Sequence, residues 1–168
     1  MSVIFTILFC GFLVALDQLI KYLVVSYLMP IQYIDVIENI LRFRYVENSG
    51  AIFGSFSAHT IILTVVSVVL LAVLIFFLAS NKIQSKLVEI CLLLMVSGGI
   101  GNIIDRIRLG YVVDFIEPLF VEFAVFNFAD CLITVGAFLL VFYLMFDLFR
   151  DIKKSKSEKT TEKDNGAA

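Results

Sequence analysis

Four long apolar runs separated by short polar stretches set the pattern of the chain, at residues 3–28, 60–79, 87–104 and 126–149. A bilayer core about 30 Å thick takes roughly 17–25 apolar residues in a helix, so each run is long enough to cross it. Between the first two runs the period changes. In ILRFRYVEN, Leu41, Phe43 and Tyr45 alternate with Arg42 and Arg44, the two-residue period of a strand with one apolar face. ENSG then offers a turn, and AIFGSF a returning strand. Such a hairpin would lay its aromatics on the membrane surface and keep its arginines wet or lipid-facing. The expected fold is therefore an all-α polytopic membrane protein, four transmembrane helices with a small extracytoplasmic β-cradle or hairpin at about 30–58. No repeat or linker divides residues 1–149, which read as one domain. Residues 150–168 hold six basic and four acidic side chains and are expected to form a disordered cytoplasmic tail.

Charge sets the orientation. The link SNKIQSK carries Lys82 and Lys86 without an acid, and the tail is rich in lysine, so both belong on the cytoplasmic side. An even number of spans then puts the N-terminus inside and turns residues 29–59 and 105–125 outward. Those loops also carry Arg42, Arg44, Arg106 and Arg108, but acids accompany them. The first run has no basic segment ahead of it and no small-residue cleavage site after it, which predicts an uncleaved first helix.

Composition agrees with a membrane setting. The chain is 61% hydrophobic and 17% charged, against roughly 45–50% and about 25% in soluble domains. No basic patch is interleaved with aromatics, which excludes nucleic acid as a partner. Cys10, Cys91 and Cys131 each lie in an apolar run and read as small buried hydrophobes, not as a disulfide framework.

Polar residues inside such runs are costly, about 2.5–3.5 kcal/mol each at a helix centre on insertion scales. Asp17 and Lys21 stand four apart on one face of the first run. They serve either as a self-neutralising pair that snorkels to the surface or as part of a site. Asn102, Asp105 and Arg106 share a face at the end of the third run, where a salt-bridged helix end accounts for the charges but not for the amide. Gly98, Gly99 and Gly101 allow close helix approach. Gly99-x-Gly101 is no dinucleotide fingerprint, because Ile104 stands where a third glycine belongs. Asp114 and Asp130 lie sixteen apart in VVDFIEPLFVEFAVFNFAD, beside apolar residues. A helix-start role suits Asp130, with Asn127 as N-cap, Asp130 at the third position, and Phe126 and Cys131 as a staple. A catalytic carboxylate pair is the alternative.

Other chemistries are poorly supplied. His59 is the only histidine, so a multi-imidazole zinc site is excluded. A Ser-His-Asp triad lacks its nucleophile elbow. A Ser/Lys dyad of Ser49 or Ser55 with Lys21 rests on no motif. A proton-coupled transporter, in which the acids relay protons, and a non-enzymatic membrane assembly factor are the competing classes.

The pieces DQLIK, ENSGAIFG, GGIGNIIDRIRLGYVVDFI and FNFADCLITVG, in this order on four spans, resemble the lipoprotein signal peptidases, the bacterial type II signal peptidase family. The resemblance covers nearly all of the chain except the tail. It implies a membrane aspartic endopeptidase with Asp114 and Asp130 as the catalytic pair. It further implies that Asn48, Asn102, Arg106 and Asn127 line the site, supported by Asp17 and Lys21 from the first helix. Neither metal nor other cofactor is implied. The implied substrate is a prolipoprotein whose cysteine already carries diacylglycerol, cut just before that cysteine, and globomycin-like peptides are the implied inhibitors. The implied setting is the bacterial cytoplasmic (inner) membrane, with the site at its outer face, lipids around it and a monomer as the working unit.

Overall fold

The computed structural model describes residues 3–50, 56–80, 83 and 85–165. In chain order the elements are α1 (Val3–Leu23), β1 (Tyr33–Ile37), β2 (Leu41–Asn48), α2 (Phe56–Ala79), α3 (Lys86–Leu109), β3 (Val112–Pro118) and α4 (Phe128–Asn165). A π-helical turn, Val24–Leu28, prolongs α1. Four helices are long and apolar enough to cross a membrane, over Val3–Leu28, Ile61–Ala79, Lys86–Leu109 and Phe128–Lys154. Half of the α3 window is buried, against 11% or less in the other three, so α3 is the axis around which the others pack. The outward faces of α1, α2 and α4 present apolar side chains such as Phe12, Phe76 and Phe142. A surface of that kind is at home in hydrocarbon and a liability in water.

Glycine sets how closely α3 and α4 approach. A Cβ on Gly98 would lie 2.3 Å from the Ala129 carbonyl oxygen, and one on Gly136 would lie 2.7 Å from that of Cys91. With no hydrophobic drive between helices in lipid, such backbone contact is a main source of association. Leu13, Leu93 and Leu132 fill the core between α1, α3 and α4. Cys10, Cys91 and Cys131 are free thiols, Cys91 buried and the others partly so.

The sheet is antiparallel in the order β1-β2-β3. β2 lies where the alternation predicts it, but its partners differ from the expected hairpin. Its first neighbour is β1, which precedes it through a turn with Asn39 at φ 57°. Its second is β3, from the loop between the third and fourth spans. Phe56, the last residue of the segment expected to return as a strand, opens α2, and residues 51–55 lie outside the described residues, as do Ser55 and Lys82. Cross-strand charges favour the observed pairing: Arg42 bonds Asp35 at 2.7 Å, and Arg44 reaches Glu117 at 3.0 Å. The arginines of the outer loop are thus paired with acids. Phe43, expected on the membrane surface, instead packs edge-on against Phe115, with ring centroids 5.9 Å apart.

Two elements outrun their expected ends. α3 continues past 104 to Leu109 and stops at Gly110, whose φ of 82° provides a left-handed cap bonded to the Arg106 carbonyl. Asp105 and Arg106 therefore belong to the helix. α4 begins at Phe128 and runs to Asn165, beyond 149, where a disordered tail was expected to begin. No glycine or proline interrupts it after Gly136, and its last stretch is rich in the helix formers lysine and glutamate.

Candidate active site

The polar residues of the spans converge where α1, α3, β3 and the start of α4 meet, at the sheet-bearing end of the bundle. Asp114 is buried in β3. Between the pairs Phe43–Ile116 and Val46–Asp114, β2 has two residues where β3 has one, so a bulge lies beside Asp114. Bulges of this kind re-aim side chains and are frequent next to functional sites. Asn48, two residues beyond Val46 on the same side of β2, reaches diagonally across to Asp114, with Nδ2 2.7 Å from Oδ2. Its own Oδ1 accepts the Gly50 amide at 2.9 Å.

The other oxygen of Asp114 accepts from Asn127 Nδ2 at 2.6 Å. Asn127, fully buried, is also the N-cap of α4: its Oδ1 accepts the Asp130 amide at 2.9 Å. Asp130 returns the bond, Oδ2 accepting the Asn127 amide at 3.2 Å. This is the reciprocal capping box expected from the spacing. The free oxygen of Asp130 accepts from Asn102 Nδ2 at 2.7 Å. Asn127 thus joins the two acids, its side-chain amide on Asp114 and its backbone and Oδ1 on Asp130.

Lys21 sets the polarity of the network. Its ammonium can only donate, and it gives to Asp17 Oδ2 at 3.1 Å, Asp105 Oδ2 at 2.9 Å and Asn102 Oδ1 at 3.0 Å. That fixes the Asn102 amide with its oxygen toward Lys21 and its nitrogen on Asp130. Asn127 Nδ2 also donates to the same oxygen, at 3.1 Å. Lys21 is buried and does not snorkel, and its donors are committed to acids and an amide, which leaves no base for a Ser49 dyad. Arg106, half-buried, bonds the Asn102 carbonyl at 3.4 Å and lines a cavity of about 360 Å³ between α2, α3 and α4. Asn102, Arg106 and Asp130 form the polar end of that cavity, and Leu70, Leu71 and Leu74 are among its apolar walls.

Burial pushes the Asp114 carboxyl up to about 6; the Asn48 and Asn127 amides oppose this and the neighbouring Asp130 adds to it. Among the described residues no three His, Cys, Asp or Glu side chains are grouped as a metal would require. All eight site residues implied by the resemblance are brought together, directly or through one another. Two more belong with them. Gln18 Nε2 bonds Asp17 at 3.2 Å and Asp105 at 3.1 Å, and Asp105 bonds Lys21 and the Val113 amide. Gln18 stands inside DQLIK, and Asp105 shares a helical face with Asn102 and Arg106, so both signals were visible.

Fold and site together define a polytopic membrane protein with a buried acid–amide centre at one end of a four-helix bundle. A model of the family described as signal peptidase (SPase) II matches residues 9–146, and the chain belongs to that family. It is 44% identical over 140 residues to the lipoprotein signal peptidase of Caldanaerobacter subterraneus subsp. tengcongensis, covering 83% of this chain and 95% of that protein. Against the lipoprotein signal peptidase of Streptococcus thermophilus the identity is 38% over 132 residues, covering 79% and 86%. A bacterial membrane enzyme solved in meso at 2.3 Å superposes with a TM-score of 0.75 at 30% identity, over 87% of this chain and 90% of that one. Another, solved at 1.9 Å, gives 0.76 at 28% identity, over 84% and 93%.

Proposed function

We propose that this peptidase is an aspartic endopeptidase that removes the signal peptide from diacylglyceryl-modified prolipoproteins, cutting just before the lipidated cysteine. The observation that carries the reading is the Asn127 bridge, which joins Asp114 to Asp130, and Asp130 in turn lies at the polar end of an apolar cavity. In this scheme Asp114, which burial raises to about 6, holds the proton that two neighbouring carboxylates share. Asp130 is then the base. It takes a proton from a water that attacks the scissile carbonyl, while the Asp114 hydroxyl donates to the carbonyl oxygen. Collapse of the tetrahedral intermediate breaks the C–N bond, and the leaving amine takes the proton that Asp130 gained. Arg106 and Asn102 flank the place where negative charge develops. The signal segment, an apolar helix, suits the leucine wall of α2, and the diacylglyceryl chains remain in lipid. No cofactor enters this scheme.

The reading carries the rest of the expected setting. Residues 1–149 act as one domain in the cytoplasmic membrane, as a monomer, with both termini inside and the sheet outside. Globomycin-like peptides compete for the same cavity. The test uses purified protein in detergent with one prolipoprotein in lipidated and unlipidated form. The lipidated form should be cut just before its cysteine, and Asp114→Asn or Asp130→Asn should end cutting. Equal cleavage of the two substrate forms would remove the lipid from the reading, and turnover in either variant would remove the aspartates.

A further inference from the structure

The buried charges on α1 and α3 do more than neutralise one another. Asp17 Oδ1 accepts the Ala129 amide at 3.0 Å, one of the free N–H groups of the first turn of α4. Asp105 Oδ2 accepts the Val113 amide at 3.1 Å. Ala129 immediately precedes Asp130, and Val113 immediately precedes Asp114. Each buried acid therefore grips the backbone one residue ahead of one member of the pair. The two grips are tied to each other twice. Lys21 Nζ bonds both carboxylates, at 3.1 and 2.9 Å, and Gln18 Nε2 bonds both, at 3.2 and 3.1 Å.

We infer that Asp17, Gln18, Lys21 and Asp105 form a buried yoke that sets the separation of Asp114 and Asp130, and that Asp17 and Asp105 are positioning residues for the reaction. The inference rests on Asp114 and Asp130 being the reacting pair. A pair that served only to neutralise charge within α1 would need neither Ala129 nor Asp105. Asp17 and Asp105 are 0% and 2% exposed, so water does not compete for their bonds. Gly101 makes the reach of Asp17 feasible, because a Cβ there would lie 2.5 Å from Asp17 Oδ2. Glycine at that position thus clears a path for a carboxylate, beyond the helix approach expected of it.

A yoke acts on turnover and leaves binding alone. A misplacement of about 1 Å costs on the order of 100-fold in rate. Asp17→Asn and Asp105→Asn, which preserve volume, should each lower kcat by about 10–100-fold with KM within about twofold. Asp105→Glu keeps the charge and the partner of Lys21 but lengthens the arm by a methylene. It should lose kcat as well, whereas a plain ion pair would be rescued by it. It also replaces the Asn variant should that one melt out in detergent. Because either substitution releases the same link, the double variant Asp17→Asn/Asp105→Asn should fall no more than about threefold below the worse single. Wild-type kcat in Asp105→Glu, multiplying losses in the double variant, or a raised KM at unchanged kcat would each overturn the yoke. If Asp114→Asn is inactive while Asp17→Asn and Asp105→Glu turn over normally, the yoke alone fails. If Asp114→Asn is active, the catalytic reading itself fails.

Discussion

Replacing Asp114 by Asn removes a charge that the fold holds at a cost. The carboxyl is 1% exposed and raised from its ordinary 3.8 to about 6, a displacement worth about 3 kcal/mol. The sign follows from proton binding. Below about pH 4 both folded and unfolded chains hold the proton and the site contributes nothing. As pH rises the unfolded chain releases it first, so stability falls until the folded site ionises near pH 6, and the full penalty persists above that. Asn carries no such penalty. It does offer one acceptor where Asn48 and Asn127 both donate. Asn127 is fully buried and Asn48 exposed, so the new oxygen belongs on Asn127 while Asn48 turns to water, at a cost of about 1–2 kcal/mol. The net gain at pH 8 is about 1–2 kcal/mol, a rise in Tm of roughly 2–8 °C for a chain of this size.

Thermal melts of wild type and Asp114→Asn in detergent at pH 4.5 and pH 8, beside cleavage of a lipidated substrate, measure both effects. The variant should melt higher at pH 8, the gap should narrow at pH 4.5, and cleavage should be lost. A gap that does not change with pH would refute the buried ionisable site. A variant that melts lower and still cleaves would refute the catalytic role as well.

Chelators should leave activity unchanged, since among the described residues no three His, Cys, Asp or Glu side chains are grouped to hold a metal; loss with EDTA and recovery with zinc would contradict this. Labelling of intact cells from outside should reach Arg42→Cys and not Gln84→Cys, and the reverse would invert the topology. Gly98→Ala should destabilise by about 1–3 kcal/mol or more, because its Cβ would meet a backbone oxygen at 2.3 Å that cannot swing aside; an unchanged Tm would mean that α3 and α4 slide freely.

The spans were legible because length and hydropathy suffice to define them, and β2 because a two-residue period shows in five positions. The partners of β2 were not legible. Asn48 meets Asp114 across 66 residues, and nothing in the local pattern of either segment records that pairing. The site was legible as a set of costly residues. Asp17, Lys21, Asn102, Asp114 and Asp130 each stand where an apolar residue would cost less, and that is a local fact. Who holds whom is not. A lysine near the end of a span snorkels or bridges with equal ease as far as sequence shows, and only the position of α3 beside α1 decides it. Gln18 went unremarked because an uncharged amide near a helix end carries little penalty to notice. Gly101 announced itself as a packing residue, since the carboxylate that needs its space arrives from α1.

Cap and catalyst first stood as competing accounts of Asp130, and the geometry makes the cap compatible with the proposed catalyst. The capping box takes one lone pair of Oδ2, through the Asn127 amide at 3.2 Å, and Asn102 takes one of Oδ1 at 2.7 Å. A carboxylate has about four such positions, so the remainder stay free for a water. The cap also holds the side chain in one rotamer, with its oxygens placed before substrate arrives, and this is the condition that a general base must meet. The residue that completes the box, Asn127, is the one that bonds Asp114, so the same few hydrogen bonds that begin α4 also set one acid against the other. A helix start is where a buried carboxylate is cheapest, because the unpaired amides of the first turn and the helix dipole both favour it. Placing the proposed base there lets the bundle keep an acid against hydrocarbon at a cost that the helix itself helps to offset.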